Sequence, residues 1–266
     1  MDLDGTALQN DRSSFSPRLQ AALNSAHAKG IAVVPVTGRQ FRLLPQAILD
    51  RPQWLDLVVL CNGGQIRRFD TQEILLGLSV SEEPLAQLLA LAERFELPIE
   101  FSVDSTLYLT PLSMARQQED PLLTFHRDFV LKHHGRVVDS LEVCRGMDVE
   151  KVNLLCIPDR SLPDVQAALK NIPVSAVLSG PNSIEITHPD ADKGNALAEI
   201  CRLLDIPAEN TMAIGDSGND VSMLQAAGLG VAMGNAPEFV AAAADAVTAD
   251  NCGDGAAIAV ERYALT

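Results

Sequence analysis

The sequence predicts an α/β protein, a parallel-sheet core into which a smaller α+β unit is inserted. Continuous apolar runs at 31–36 and 57–60 have the pattern of strands covered on both faces. Each run breaks abruptly into small polar residues, Thr37-Gly38-Arg39 and Cys61-Asn62-Gly63-Gly64, as expected of strands whose carboxyl ends line a site. The last third repeats this style, whereas the middle reads as hairpins and helices.

The elements follow in order. Ser16 and Pro17 make an N-cap and first-turn pair, Leu19, Ala22, Leu23 and Ala26 form a helical stripe, and Gly30 stops it. The runs 31–36 and 57–60 come next. Residues 82–95 have helical periodicity, with Leu85, Leu88, Leu89 and Ala92 as its core face. Segments 99–103 and 106–110 resemble a hairpin, 111 to about 134 is polar and mostly helical, 151–157 is a strand and 162–169 a helix. Segments 174–178 and 183–187 form a second hairpin through Gly180-Pro181-Asn182. A helix over 191–204 precedes a short strand, 211–214, which breaks into Gly215-Asp216-Ser217-Gly218-Asn219-Asp220. Met223, Leu224 and Ala227 continue as a helix stopped at Gly228, and 229–233 and 246–248 are short strands. The division expected is a core of 1–79 and 188–266 and an α+β insert of 80–187.

Composition narrows the function classes. Hydrophobic residues make up 47% of the 266, enough for a sizeable core. The net charge of −15 and pI near 4.6 argue against a nucleic-acid partner or an acidic membrane surface. No apolar run of spanning length is present. Five cysteines, an odd count without Cys-x-x-Cys spacing, read as thiols in a reducing cytoplasm. Nothing in the sequence specifies an oligomeric state.

The chemistry gathers at strand ends. Asp2 and Asp4 are two residues apart, so an extended segment points both to one side. Two carboxylates so close repel unless a cation joins them. Asp216, Asn219 and Asp220 stand at another strand end, and Thr37 and Gly38 at a third. Lys193 starts a helix, where the dipole disfavours a cation unless an anion or carboxylate sits beside it. Three carboxylates, a hydroxyl, a lysine and a glycine-rich loop make a metal-plus-phosphate site, and oxygen ligands suit a hard cation such as Mg²⁺.

Taken together, Asp2-Leu3-Asp4-Gly5-Thr6, Thr37-Gly38-Arg39, Asp192-Lys193-Gly194 and Gly215-Asp216-Ser217-Gly218-Asn219-Asp220 resemble the four ordered motifs of the haloacid dehalogenase-like superfamily. Asn62-Gly63-Gly64, the stretch 228–236 and Gly253-Asp254-Gly255 are similar to its Cof-like sugar-phosphatase subfamily. The resemblance covers nearly the whole chain. It implies a Rossmann-like core with the 80–187 insert as a cap, and an Mg²⁺-dependent phosphatase for small phosphorylated metabolites such as sugar phosphates. By resemblance, Asp2 is the nucleophile that forms an aspartyl-phosphate, and Asp4 is the acid and base. The Leu3 amide, Thr37, Gly38, Asn219 and Lys193 hold the phosphoryl group. Asp2, Asp216 and the Asp4 carbonyl hold Mg²⁺, and Asp220 orients Lys193 or the metal's waters. Relatives carry a short apolar strand before the first aspartate; here only Met1 precedes Asp2, so this strand is expected to be truncated and the natural start to lie upstream.

Plainer alternatives stand beside these roles. Thr37 would also serve as a loop cap, and Asp220 as a first-turn helix charge. Arg39 reads as a surface or inter-loop ion pair. Asn62 and Asn235 read equally as turn residues. The adjacent His133 and His134 read as surface, His188 as structural and Trp54 as core. Two rival functions share the fold: a phosphomutase or phosphotransferase, and a catalytically weakened metabolite-binding protein.

Overall fold

The computed structural model describes residues 1–119, 135–179 and 182–266. Its first helix forms for a local reason. The Ser16 hydroxyl accepts from the Leu19 amide at 3.1 Å and Pro17 occupies the first turn, so Pro17–Ala28 is helical. The helix buries Leu19, Ala22, Leu23 and Ala26 and packs against the C-terminal helix Gly255–Ala259. The Arg18–Glu261 pair, from the first helix to the turn Val260–Ala264 that follows, is exposed and contributes little.

The described residues divide into two units, one of Met1–Arg39, Leu44–Leu76 and Ala191–Thr266, the other of Gln40–Leu43 and Gly77–Asp190. In the first, Leu57–Leu60 is buried at every position and pairs antiparallel with Gln65–Arg68, part of a three-stranded sheet completed by Ile74–Gly77. A second sheet, Met212–Gly215, Leu229–Ala232 and Ala246–Val247, is wholly parallel. Val36, Leu57, Val59, Ile200, Ala213, Met223 and Leu224 belong to one core cluster, so helices and sheet residues share a single apolar interior.

Segment 31–36 departs from expectation. It makes two isolated parallel bridges, Val33 to Leu55 and Val36 to Val59, instead of a continuous ladder. Ala32 is exposed, and Ile31, Val33 and Val34 are half-buried, so the run is not covered on both faces. The reason is pairing. Pro35 has no N–H to donate. Between this segment and Met212–Gly215 lies one strand-like step, Met1–Asp2. The Met1 amino group donates to Val34 O at 3.0 Å, Val36 N to Met1 O at 2.9 Å, and Asp2 N to Ile214 O at 2.9 Å. The first core strand is thus represented by two residues, which nevertheless set Asp2 beside the end of Met212–Gly215.

The second unit is a six-stranded sheet in the order Gly135–Val137, Thr106–Leu109, Ile99–Val103, Val149–Leu154, Ile184–Thr187, Ser175–Leu178. Alternation divides its faces. Ile99, Phe101, Val152 and Leu154 join Leu85, Leu88 and Val165 from the helices Glu82–Arg94 and Leu162–Leu169 in one core. Glu100, Ser102, Lys151 and Asn153 lie on the opposite face, buried and paired except at Asn153 Oδ1: Asn153 Nδ2 donates to Glu100 at 3.3 Å and Lys151 bridges to Glu185 at 3.0 Å. Such pairing is the condition on which polar groups are buried. The polar stretch after 110 begins as the helix Pro111–Glu119. His133, His134, Gly180 and Pro181 lie outside the described residues. Trp54 is buried, 6.1 Å from the Phe15 ring, and no disulfide joins any of the five cysteines. Among the described residues, no helix is long and apolar enough to cross a membrane.

Candidate active site

The candidate site lies wholly in the first unit, where four chain segments meet. Asp2 ends the short pairing step and leads into an irregular wide turn, Leu3–Ala7. That turn closes with Leu8 N on Leu3 O at 2.9 Å and depends on Gly5, whose φ is +80°. A Cβ on Gly5 would overlap the Asp216 carboxylate, so the glycine also lets the two acidic segments approach. Asp216 is then held by Thr6, whose hydroxyl donates to Oδ1 at 2.7 Å. Asn235 Nδ2 lies 3.4 Å from Oδ2 and donates to Gly5 O at 2.9 Å.

Lys193 is the first residue of the helix Lys193–Leu204, and its terminus is built by Asp192. Asp192 Oδ1 accepts from Gly194 N and Asn195 N at 2.8 and 3.0 Å, and its Oδ2 accepts from the Ser222 hydroxyl at 2.7 Å. The cap thus ties this helix to Val221–Ala226. The Lys193 ammonium, 1% exposed, donates to Asp2 Oδ1 and Asp220 Oδ1, both at 2.6 Å. Asp220 is fixed in turn by the amides of Asp216 and Ser217, 3.0 and 2.9 Å from its Oδ2. A cation at a helix start is here carried by two carboxylates, which offset the opposing dipole.

Among the described residues, carboxylate oxygens of Asp2, Asp216 and Asp220 lie within 4.8 Å of one another. When all three carboxylates are ionised, the one Lys193 ammonium leaves two negative charges uncompensated. Burial, with Asp220 and Asp216 nearby, pushes Asp2 up to about 8 despite Lys193. Burial likewise pushes Asp216 up to about 6, with the Thr6 hydrogen bond opposing it and Asp220 adding to it. For Lys193, burial disfavours the charge but Asp2 and Asp220 outweigh it, and its pKa goes up. An all-oxygen set with two uncompensated charges fits a divalent hard cation. Asp4's side chain stands apart from this set, paired with Arg39 at 2.6 Å, so the expected contribution of Asp4 to a metal is left to its backbone carbonyl.

The remaining expected residues line the same region. Thr37 is buried, its amide donating to Val59 O and its hydroxyl accepting from Arg39 N at 3.1 Å, with Gly38 next in the loop. Asn219 Nδ2 donates to Asn62 Oδ1 at 2.9 Å, while Asn219 Oδ1 is buried without a partner. A buried acceptor without a donor is costly, and such atoms mark places where a ligand or water is expected. Asn62 and Cys61 both have positive φ, 57° and 52°, a strained conformation that persists only where its surroundings impose it. Thr6, Asn62 and Asn235 therefore do more than the sequence suggested. Thr6 stood in a motif already, but its partner is 210 residues away.

A family model described as haloacid dehalogenase-like hydrolase matches residues 1–260. Over 100% of this chain and 97% of its own length, the Bacillus subtilis (strain 168) protein YxeH, provisionally named a phosphatase, is 32% identical. The 5-amino-6-(5-phospho-D-ribitylamino)uracil phosphatase YcsE of the same organism is 27% identical over 100% of this chain and 94% of its own. Among solved structures, the HAD subclass IIB sugar phosphatase BT4131 superposes with a TM-score of 0.85 at 26% identity, covering 100% of this chain and 98% of the other.

Proposed function

We propose, from the premise that the chain belongs to the haloacid dehalogenase-like hydrolase family, a specific reaction for this phosphatase: Mg²⁺-dependent hydrolysis of small phosphate monoesters through an aspartyl-phosphate on Asp2. The observation that carries this reading is the buried Lys193 ammonium bridging Asp2 and Asp220 beside Asp216. It gives a nucleophile, a fixed cation and a set of oxygen ligands in one volume.

In the first half-reaction an Asp2 oxygen bonds to phosphorus as the bond to the alcohol oxygen breaks, and Asp4 gives that oxygen a proton. In the second, water attacks phosphorus, Asp4 takes the proton and Asp2 leaves. Lys193, the Leu3 amide, Thr37, Gly38 and Asn219 hold the phosphoryl oxygens, where the free Asn219 Oδ1 needs a donor from ligand or water. Asp2, Asp216 and the Asp4 carbonyl would hold Mg²⁺, with Asp220 steadying Lys193; the cation's charge favours ionised Asp2. The 80–187 insert acts as the cap that selects the alcohol. Sugar phosphates or related polyol esters are the proposed substrates. The names of BT4131 and YcsE, one a sugar phosphatase and the other acting on a phosphoribityl compound, support that class.

The test is phosphate release from a panel of sugar, polyol and acid phosphates, with Mg²⁺ and with chelator. Turnover of sugar or polyol esters that chelator abolishes is expected. Full activity in excess EDTA would contradict the metal's role, and no turnover across the panel would contradict the reaction.

A further inference from the structure

We propose that Arg39 is a positioning residue for the hydrolytic half of the reaction, acting by clamping Asp4 as an oriented carboxylate. Arg39 Nε donates to Asp4 Oδ2 at 2.8 Å and Nη2 to Asp4 Oδ1 at 2.6 Å, a two-point contact that fixes the plane of the carboxylate as well as its position. Nη2 also donates to Arg12 O at 3.1 Å. The Arg39 backbone is held at both ends, its amide on Thr37 Oγ1 at 3.1 Å and its carbonyl accepting from Cys61 N at 3.1 Å. The guanidinium is thus anchored to the loop that carries Thr37.

As a source of stability this contact is small. The Arg39 and Asp4 side chains are 19% and 38% exposed, and pairs of that kind contribute little. Its geometry matters more. Asp4 follows the buried Leu3 in the irregular turn and is itself half-exposed, so without a partner it would sample several rotamers. A guanidinium fork donates two hydrogen bonds to a carboxylate and matches both oxygens. A carboxylic acid has one of those oxygens protonated and accepts the same pair more weakly. The clamp therefore suits Asp4 while it is a base. In that half-reaction the water oxygen bonds to phosphorus, one water proton passes to Asp4, and the phosphorus–oxygen bond to Asp2 breaks with its electron pair returning to the Asp2 carboxylate. This inference rests on the assignment of Asp4 as acid and base given above.

The experiment is rapid-quench turnover of p-nitrophenyl phosphate with Mg²⁺ by the unaltered protein and by Arg39→Met, Arg39→Lys and Asp4→Asn. This ester has a good leaving group, so phosphorylation of Asp2 needs little help from an acid, whereas hydrolysis still needs the base. Arg39→Met should keep the p-nitrophenol burst, lose about 10²-fold in steady-state rate and accumulate phospho-enzyme. Arg39→Lys, with a single point of contact, should recover part of the rate. A steady-state rate within about twofold of unaltered protein would overturn the proposal. So would burst and steady state falling together with the melting temperature, the result of a merely structural pair. If Asp4→Asn itself turned over normally, the assignment of Asp4 would fail and the role of Arg39 with it. Near-normal turnover by the Arg39 variants beside an inactive Asp4→Asn would overturn the clamp and leave the phosphatase reading intact.

Discussion

Lys193 concentrates the residue-scale physics of this protein. Its ammonium is buried between two carboxylates, so removing it strands negative charge in a poorly solvated place. Lys193→Met should cost about 3–5 kcal/mol in denaturant unfolding without metal, and abolish turnover. A variant with near-normal stability would mean that the carboxylates do not depend on it. The protons tell a related story. Asp2 and Asp216 hold protons in the folded, metal-free protein at pH values where the unfolded chain has lost them. Their contribution to stability is therefore present near pH 4 and is lost as pH rises towards about 6 and 8. The Met1 amino group, lowered to about 6 chiefly by burial, acts in the opposite sense between pH 6 and 8 and offsets part of this. A divalent cation takes the place of those protons, so its stabilisation should grow with pH over the range 5 to 8. Thermal melts with and without Mg²⁺ across that range check it; a pH-independent shift would place the cation elsewhere. Asp2, Lys193, Asp216 and Asp220 could be read from the sequence because each sits in a short motif with its own chemical logic. An inter-loop ion pair at Arg39 could be read too, but that its partner is Asp4, and that Asn62 bonds Asn219, could not, since the partners are 35 and 157 residues apart and no local pattern links them.

Loops between elements hold these residues, and backbone freedom decides whether they can. Gly63 has φ +100°, and a Cβ there would overlap the carbonyl of Asp192, the residue that caps the Lys193 helix. The strained Asn62-Gly63 loop therefore buttresses the helix start that aims the lysine. Gly63→Ala should cost about 1–3 kcal/mol in strain, and about 10²-fold in activity through a displaced Lys193. Activity close to that of the unaltered protein would separate the loop from the lysine. Helices were the most legible elements, because caps such as Ser16 and stops such as Gly30 act locally. The apolar run 31–36 reads as a full strand, but a strand also needs a neighbour. On one side its neighbour is only Met1, hydrogen-bonded to Val34 and Val36, and on the other its pairing is two isolated bridges, to Leu55 and Val59. Pairing of that kind is a tertiary fact that hydrophobic pattern alone does not carry.

The whole molecule divides its labour in the proposed account, chemistry in the first unit and choice of alcohol in the second. The second unit has its own sheet and core, including Phe101, Val152 and Leu154, as a part able to fold alone requires. Exchanging 80–187 for the corresponding segment of a relative should change the order of preferred esters while Asp2→Asn still abolishes turnover. An unchanged order would remove the insert from substrate choice. A covalent bond to Asp2 underlies every step proposed, and mass spectrometry of the quenched, digested protein detects it. Asp4→Asn is mixed with p-nitrophenyl phosphate and Mg²⁺, quenched in acid and mapped by peptide. A phosphoryl group is expected on the peptide containing Asp2, and none when Asp2→Asn is treated in the same way. A phosphoryl group trapped on Asp2→Asn, or full turnover by that variant, would contradict the bond to Asp2.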